Sequence, residues 1–179
     1  GQGAAFDADL SRRWAEVTAR EAAASGMDVT FSAMVDVGRE ARWGRVMEST
    51  GEDTYLDSCF AEAIVKGYQG DDVSEEGRIC ACVKHFAVNS QETERLWVEV
   101  EVDEEALRNI YLPAFKDAVL EGGAYTIMGA YNRLKGEHCC ESGYLLNDIL
   151  RKEWGYDGVV ISDWGAVHDT KRAADSQLD

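Results

Sequence analysis

Ile79-Cys80-Ala81-Cys82-Val83-Lys84-His85 places five apolar residues in a row before two basic ones. A strand with one wet face alternates apolar and polar residues. An unbroken apolar run fits a strand covered on both faces, as in a parallel sheet flanked by helices. Three further runs read the same way: Val29-Thr30-Phe31-Ser32-Ala33-Met34-Val35, Tyr125-Thr126-Ile127-Met128-Gly129-Ala130 and Gly158-Val159-Val160-Ile161. Helical patterns separate them. Leu10 to Ser25 is closed by Gly26. Glu52 to Tyr68 carries Tyr55, Leu56, Cys59, Phe60, Ala63, Ile64 and Gly67 on one side. Asp103 reads as an N-cap, with Glu104 and Glu105 in the first turn, where the helix dipole favours acids. That helix runs to about Leu120 and is interrupted by Pro113. Ser142 to Trp154 ends at Gly155, and another helix starts near Ala166. This alternation predicts a parallel sheet with right-handed crossovers, either an open doubly wound sheet or part of a (β/α)8 barrel. The loop after the first run contains neither GxGxxG nor GxxxxGK[ST], so nothing there cradles a nucleotide phosphate.

Composition narrows the class. The chain has 179 residues, 45% hydrophobic and 29% charged, as ordinary globular domains have. Acidic residues number 34 against 18 basic ones, a formal charge of −16. Such a surface repels nucleic-acid phosphates and anionic lipid, so neither is an expected partner. No apolar run approaches the length of a membrane span. The start, Gly1-Gln2-Gly3-Ala4-Ala5-Phe6-Asp7, lacks the pattern of a signal peptide, which points to the cytoplasm. Both ends read as cut edges, so residues 1–179 are expected to be one segment of an incomplete domain. Four strands of a closed barrel would leave open edges prone to association with another chain. The odd set of cysteines, Cys59, Cys80, Cys82, Cys139 and Cys140, has no metal-binding spacing and reads as reduced structural thiols. No metal or cofactor is expected.

The chemistry-bearing residues fall where the apolar runs end. Arg42, Trp43 and Arg45 follow the first run, Lys84-His85 the second, Tyr131-Asn132 the third and Ser162-Asp163-Trp164 the fourth. In a barrel those ends converge on one mouth, where such enzymes work. Cations, an imidazole, a phenol, a carboxylate and indoles together suit a polyhydroxylated ligand such as a sugar. Taken singly, Asp163 reads as a helix cap, Arg42 as a brace, Tyr131 as core, Trp43 and Trp164 as packing anchors, and His85 as a hydrogen-bonded structural histidine. The joint placement of such groups at four strand ends favours a site.

Three blocks then resemble glycoside hydrolase family 3, the β-glucosidase-like enzymes. They are Arg42-Trp43-Gly44-Arg45 with Glu48 and Gly51-Glu52-Asp53; Val83-Lys84-His85-Phe86-Ala87; and Gly158-Val159-Val160-Ile161-Ser162-Asp163-Trp164-Gly165-Ala166. The segments Leu107 to Phe115 and Met128 to Asn132 match as well. The resemblance implies an α/β fold, a partial (β/α)8 TIM-type barrel of about four βα units. It implies a retaining β-glycosidase, in first place a β-glucosidase, acting through a covalent glycosyl-aspartate. By motif position Asp163 is the nucleophile. Arg45, Lys84 and His85 bind hydroxyls of the sugar, Tyr131 sits beside the nucleophile, and Trp164 walls the subsite. Arg45 and Lys84 would favour the ionised form of Asp163. The family's acid/base carboxylate comes from a later domain, absent here, so this segment alone is expected to be feeble or inactive. Glu92 and Glu94 read as solvated loop carboxylates. Arg42 is preceded by Glu40-Ala41 where the family reads D-P, and Thr54 replaces the proline of G-E-D-P. Alternatives are another β-glycosidase specificity such as β-xylosidase, a Schiff-base aldolase using Lys84, and a non-catalytic sugar-binding remnant.

Overall fold

The computed structural model describes all residues, Gly1–Asp179. Its strands are β1 Val29–Thr30, β2 Cys80–Phe86, β3 Glu99–Val100, β4 Thr126–Gly129, β5 Arg133–Leu134, β6 Glu137–His138 and β7 Val159–Ser162. Its α-helices are α1 Gln2–Ala5, α2 Ala8–Ala24, α3 Thr54–Gln69, α4 Glu104–Ala106, α5 Pro113–Leu120 and α6 Thr170–Asp175. The four apolar runs build one parallel sheet in the order β1-β2-β4-β7. Its register pairs Val29 with Cys80, Val83 with Ile127 and Ile127 with Val160. Each strand neighbours the next one of its set in the chain. That is the succession in a barrel wall, whereas an open doubly wound sheet reverses its order.

Burial follows from this layering. Val83, Ile127 and Val160 are fully buried, and Phe60, Phe86, Phe115, Leu145 and Ile149 fill the space between sheet and helices. Phe86 meets the ring of Phe115 edge-on at 5.2 Å and that of Trp154 at 5.8 Å. Helices α2 and α3 pack closely because Gly67 has no side chain; a Cβ there would lie 2.5 Å from the Arg12 carbonyl oxygen. The caps act as read: Asp103 accepts from the Ala106 N–H and Ser142 from the Leu145 N–H. Pro113 divides its helix into α4 with a wide π turn over Leu107–Tyr111 and then α5, which it opens. Gly143–Glu153 is likewise a π-helix.

The structure departs from the sequence reading in five places, one being the last helix, which begins at Thr170 behind the cap Asp169 and not near Ala166. The first run forms ladder pairs only at Val29–Thr30, plus a single bridge from Met34 to Lys84. The second strand runs on through Lys84 and His85 to Phe86, because the Lys84 N–H reaches the Ala33 carbonyl and its own carbonyl accepts from Val35, both at 2.9 Å. Tyr55 is 79% exposed, since the buried face of α3 turns through Phe60, Ala61, Ile64, Val65 and Tyr68 instead. A second, three-stranded sheet of β3, β5 and β6 stands beyond the main one. Its hairpin turns at Lys135-Gly136, both with positive φ, the geometry of a two-residue turn matched to strand twist.

Candidate functional site

The site grows from the irregularity at the end of β2. The pairing of β2 with β4 shifts register between Lys84 and Phe86. A bulge of that kind re-aims a side chain, and here the residue involved is His85, 2% exposed. Asp36, the first polar residue after the first apolar run, fixes it. One carboxylate oxygen accepts from the His85 N–H at 3.0 Å and lies 2.8 Å from Nδ1. Burial pushes the Asp36 carboxyl up from its ordinary value, and the hydrogen bond and charge of His85 oppose that. Across the ring, Nε2 lies 3.2 Å from the Arg45 guanidinium and 3.6 Å from Asp163 Oδ2. An ionised Asp36 only accepts and Arg45 only donates, so the tautomer with its proton on Nδ1 satisfies both neighbours.

Arg45 arrives from a short 3-10 turn, Val46–Glu48. Its Nε and second terminal nitrogen grip both oxygens of Glu48, at 2.7 and 2.8 Å. The pair is bidentate, which fixes the guanidinium plane as well as its position. The hydrogen bonds from Arg45 hold the Glu48 carboxyl below its usual value. The third donor is thereby left aimed at His85.

Asp163 caps β7. Its N–H donates to the Gly129 carbonyl at 3.2 Å, tying it to the end of β4, and its Oδ1 accepts from the Trp164 N–H at 2.7 Å. The side chain is 8% exposed. Tyr131, just past β4, is buried beside it; burial first, and then the charge of Asp163, raise the Tyr131 phenol. The Arg95 guanidinium lies 4.8 Å over the Tyr131 ring and is paired with Glu92 at 2.7 Å. Glu92 also accepts from the Trp43 indole N–H at 2.9 Å.

Of the residues singled out from sequence, Arg45, His85, Tyr131 and Asp163 thus gather at one end of the sheet. Lys84 lines a hollow of about 210 Å³ with Trp14, Met34 and Glu48, the carboxylate that grips Arg45. Trp164 projects into solvent, 79% exposed. Arg42 pairs with its neighbour Glu40 on the surface, at 2.8 Å, and not with Glu48, Glu52 or Asp53. Glu92 is no free loop acid, because Trp43 and Arg95 both bind it. The sequence pattern does not single out Asp36 or Arg95. Asp36 carries a usable signal, since it opens its loop just as Asp163 opens the last one. Arg95 has none, being one of several charges in a polar loop. No cluster of three or more His, Cys, Asp or Glu side chains is placed to hold a metal ion.

The architecture is a wall of a (β/α)8 barrel, with polar groups converging at the carboxyl ends of its strands. The comparisons with known proteins specify it further. The chain matches the Glycosyl hydrolase family 3 N terminal domain over residues 1–177, and it belongs to that family. It is 38% identical to thermostable β-glucosidase B of Acetivibrio thermocellus over its full length, covering 23% of that protein. It is 40% identical to an exo-α-(1→6)-L-arabinopyranosidase of Bifidobacterium longum over 94% of the chain and 22% of the relative. Among solved structures, β-glucosidase 3B of Thermotoga neapolitana in complex with α-D-glucose superposes with a TM-score of 0.92 at 33% identity, over 97% of this chain and 24% of that one. A mutant β-glucosidase of Listeria innocua in complex with laminaribiose gives 0.87 at 42% identity, over 98% and 24%. The chain therefore spans about a quarter of the length of these relatives. No helix is long and apolar enough to cross a membrane.

Proposed function

We propose that the chain supplies the nucleophile and most of the first sugar subsite of a retaining β-glycosidase, with a terminal β-glucosyl unit as substrate. The observation that carries this reading is the environment of Asp163: a buried carboxylate at a strand end, its Oδ1 held by the Trp164 N–H and its Oδ2 turned toward His85. Retaining glycosidases place one carboxylate to attack the anomeric carbon and a second to protonate the leaving oxygen. In the first step an Asp163 oxygen forms a bond to the anomeric carbon. The glycosidic C–O bond breaks, and its electron pair leaves with the aglycone oxygen, which takes a proton from the acid. Water then cleaves the glycosyl ester and the same acid/base residue accepts its proton. We assign the acid/base to a part of the protein outside this chain.

Arg45 and His85, locked by Glu48 and Asp36, would offer hydrogen bonds to sugar hydroxyls from fixed positions. Such preorganisation spares the reaction the cost of orienting them. Lys84, which shares its hollow with Glu48, would join them, and Trp164 would wall the sugar on the solvent side. The names of the relatives, most of them β-glucosidases, support glucose as the first sugar, and the arabinopyranosidases among them mark a departure from it.

The test is mass spectrometry of the protein after incubation with an activated 2-deoxy-2-fluoro-β-glucoside. The expected result is one adduct, on the peptide containing Asp163. An adduct on another carboxylate, or hydrolysis with inversion at the anomeric carbon, would refute the assignment.

A further inference from the structure

Glu92 gives each of its carboxylate oxygens to a different loop. Oε1 accepts from the Trp43 indole N–H at 2.9 Å, across 49 residues of sequence, and Oε2 accepts from the Arg95 guanidinium at 2.7 Å. Trp43 follows the first apolar run and is 4% exposed. A buried indole N–H left without an acceptor is costly, and Glu92 supplies one. The same loop packs against the Glu92 stem, since a Cβ on Gly44 would lie 3.4 Å from the Glu92 Cγ.

Arg95 stands three residues on, in a turn closed by its N–H on the Glu92 carbonyl at 3.2 Å. Its one ion pair is with Glu92. The Arg95 side chain is 35% exposed, and ordering so long a side chain costs entropy that a charge-assisted hydrogen bond offsets. Its guanidinium lies 4.8 Å over the ring of Tyr131, whose phenol is within hydrogen-bonding reach of Asp163. A guanidinium donates along its edge and stacks through its face, so one group can hold Glu92 and cover Tyr131 together.

We propose that Glu92 is a positioning residue of the site: by bridging Trp43 and Arg95 it joins two strand-end loops and holds the guanidinium over Tyr131, beside the nucleophile. The inference rests on the glycosidase reading above. A cation over the ring face strengthens the phenol as a donor to Asp163. The charge of Arg95 accordingly opposes the rise of the Tyr131 phenol that burial, and then Asp163, cause. The phenol adds a fixed donor to a carboxylate that the Trp164 N–H and His85 already flank. Every link lies within this chain, and the rings at both ends of it are buried, so the bridge does not depend on what further segments cover the rim.

The experiment uses the intact protein that contains this chain. In Glu92→Gln the amide oxygen keeps the buried Trp43 N–H, and the amide NH2 faces Arg95, donor against donor. The variant is expected to lower kcat/KM on an aryl β-glucoside roughly 5- to 30-fold, the worth of a cation held over a ring, with an unchanged denaturation midpoint. The Arg95 guanidinium proton signals, displaced by the Tyr131 ring in the unsubstituted protein, are expected to move to solvent-like positions. In an Arg95→Met background, where there is no guanidinium to hold, Glu92→Gln is expected to cost under about 2-fold. Glu92→Asp keeps the charge but is one methylene too short to span both donors. It is expected to show the same loss, and it serves should Glu92→Gln not fold. Full activity in these variants, an unmoved Arg95 signal, or an undiminished loss in the Arg95→Met background would each overturn the inference. Should the unsubstituted protein cleave no aryl β-glucoside, the glycosidase reading fails by itself. The Arg95 signal then decides the bridge alone: moved by Glu92→Gln it upholds it, and unmoved it overturns it.

Discussion

Replacing Asp36 by asparagine isolates the device that sets the His85 ring. The carboxylate accepts from the His85 backbone N–H and from Nδ1 with one oxygen. An amide of the same size offers one acceptor and one donor group. If its oxygen keeps the backbone N–H, the Nδ1 proton faces the amide NH2 or must leave. The ring then carries its proton on Nε2, where the Arg45 guanidinium, a donor, waits at 3.2 Å. A donor facing a donor in a buried site forfeits a hydrogen bond and leaves one group unsatisfied, at a cost of about 1–3 kcal/mol. Global stability should change by less, because the neutral amide also escapes the desolvation that pushes the Asp36 carboxyl up. In the intact protein that contains this chain, the expected outcome for Asp36→Asn is a kcat/KM on an aryl β-glucoside lowered roughly 5- to 150-fold and denaturant stability within about 2 kcal/mol of the original. Imidazole 15N chemical shifts should show the Nε2–H tautomer. A ring that keeps its proton on Nδ1 in this variant, with activity retained, would refute the argument that Asp36 sets the tautomer.

Two other outcomes follow from the core. A Cβ on Gly129 would lie 2.6 Å from the Cys140 sulfur, so Gly129→Ala should destabilise by about 1–3 kcal/mol; adding Cys140→Ala should return most of it, and a double-mutant cycle with no coupling would show that the contact is not the cause. Asp57 is buried on α3 with Thr50 donating to it, and burial raises its carboxyl to about 7. The folded state therefore holds a proton that the unfolded chain releases near its ordinary value, so this residue makes stability fall as pH rises from about 4 to about 7 and level off above. Asp57→Asn should remove that slope, gaining more stability at pH 8 than at pH 4; parallel pH–stability curves for the two proteins would contradict it.

The sheet is legible because burial on both faces writes itself as unbroken apolar runs, and the helices because Asp103, Ser142, Gly26 and Gly155 mark their ends. What escapes has no local signature. Strands β3, β5 and β6 are two residues each, too short for any period to show. The buried face of α3 departs from its sequence pattern at Tyr55 because the helix spends its contacts on α2 and α5, an arrangement that only the tertiary packing decides. The strand-end residues are legible as a set, since parallel topology sends them to one end. Their pairings are not: Asp36 with His85, Glu92 with Trp43 and Arg95 with Tyr131 are long-range meetings, and an acidic sequence offers many carboxylates for each cation.

Those long-range meetings bear on how the chain folds. Asp36 and His85 are separated by 49 residues and Arg45 and His85 by 40, with Asp163 on the far strand of the sheet. Each contact closes a long loop, whose entropy must be surrendered before the contact returns anything. Helices such as α2 and α3 need only neighbours and will form early. The imidazole, guanidinium and carboxylate come together only once β1, β2, β4 and β7 are all in register. During refolding, recovery of helical signal should precede recovery of sugar binding. Occupancy of the site by a ligand is in that sense a clock for the last step of folding, and a ligand present from the start would favour chains that have completed it.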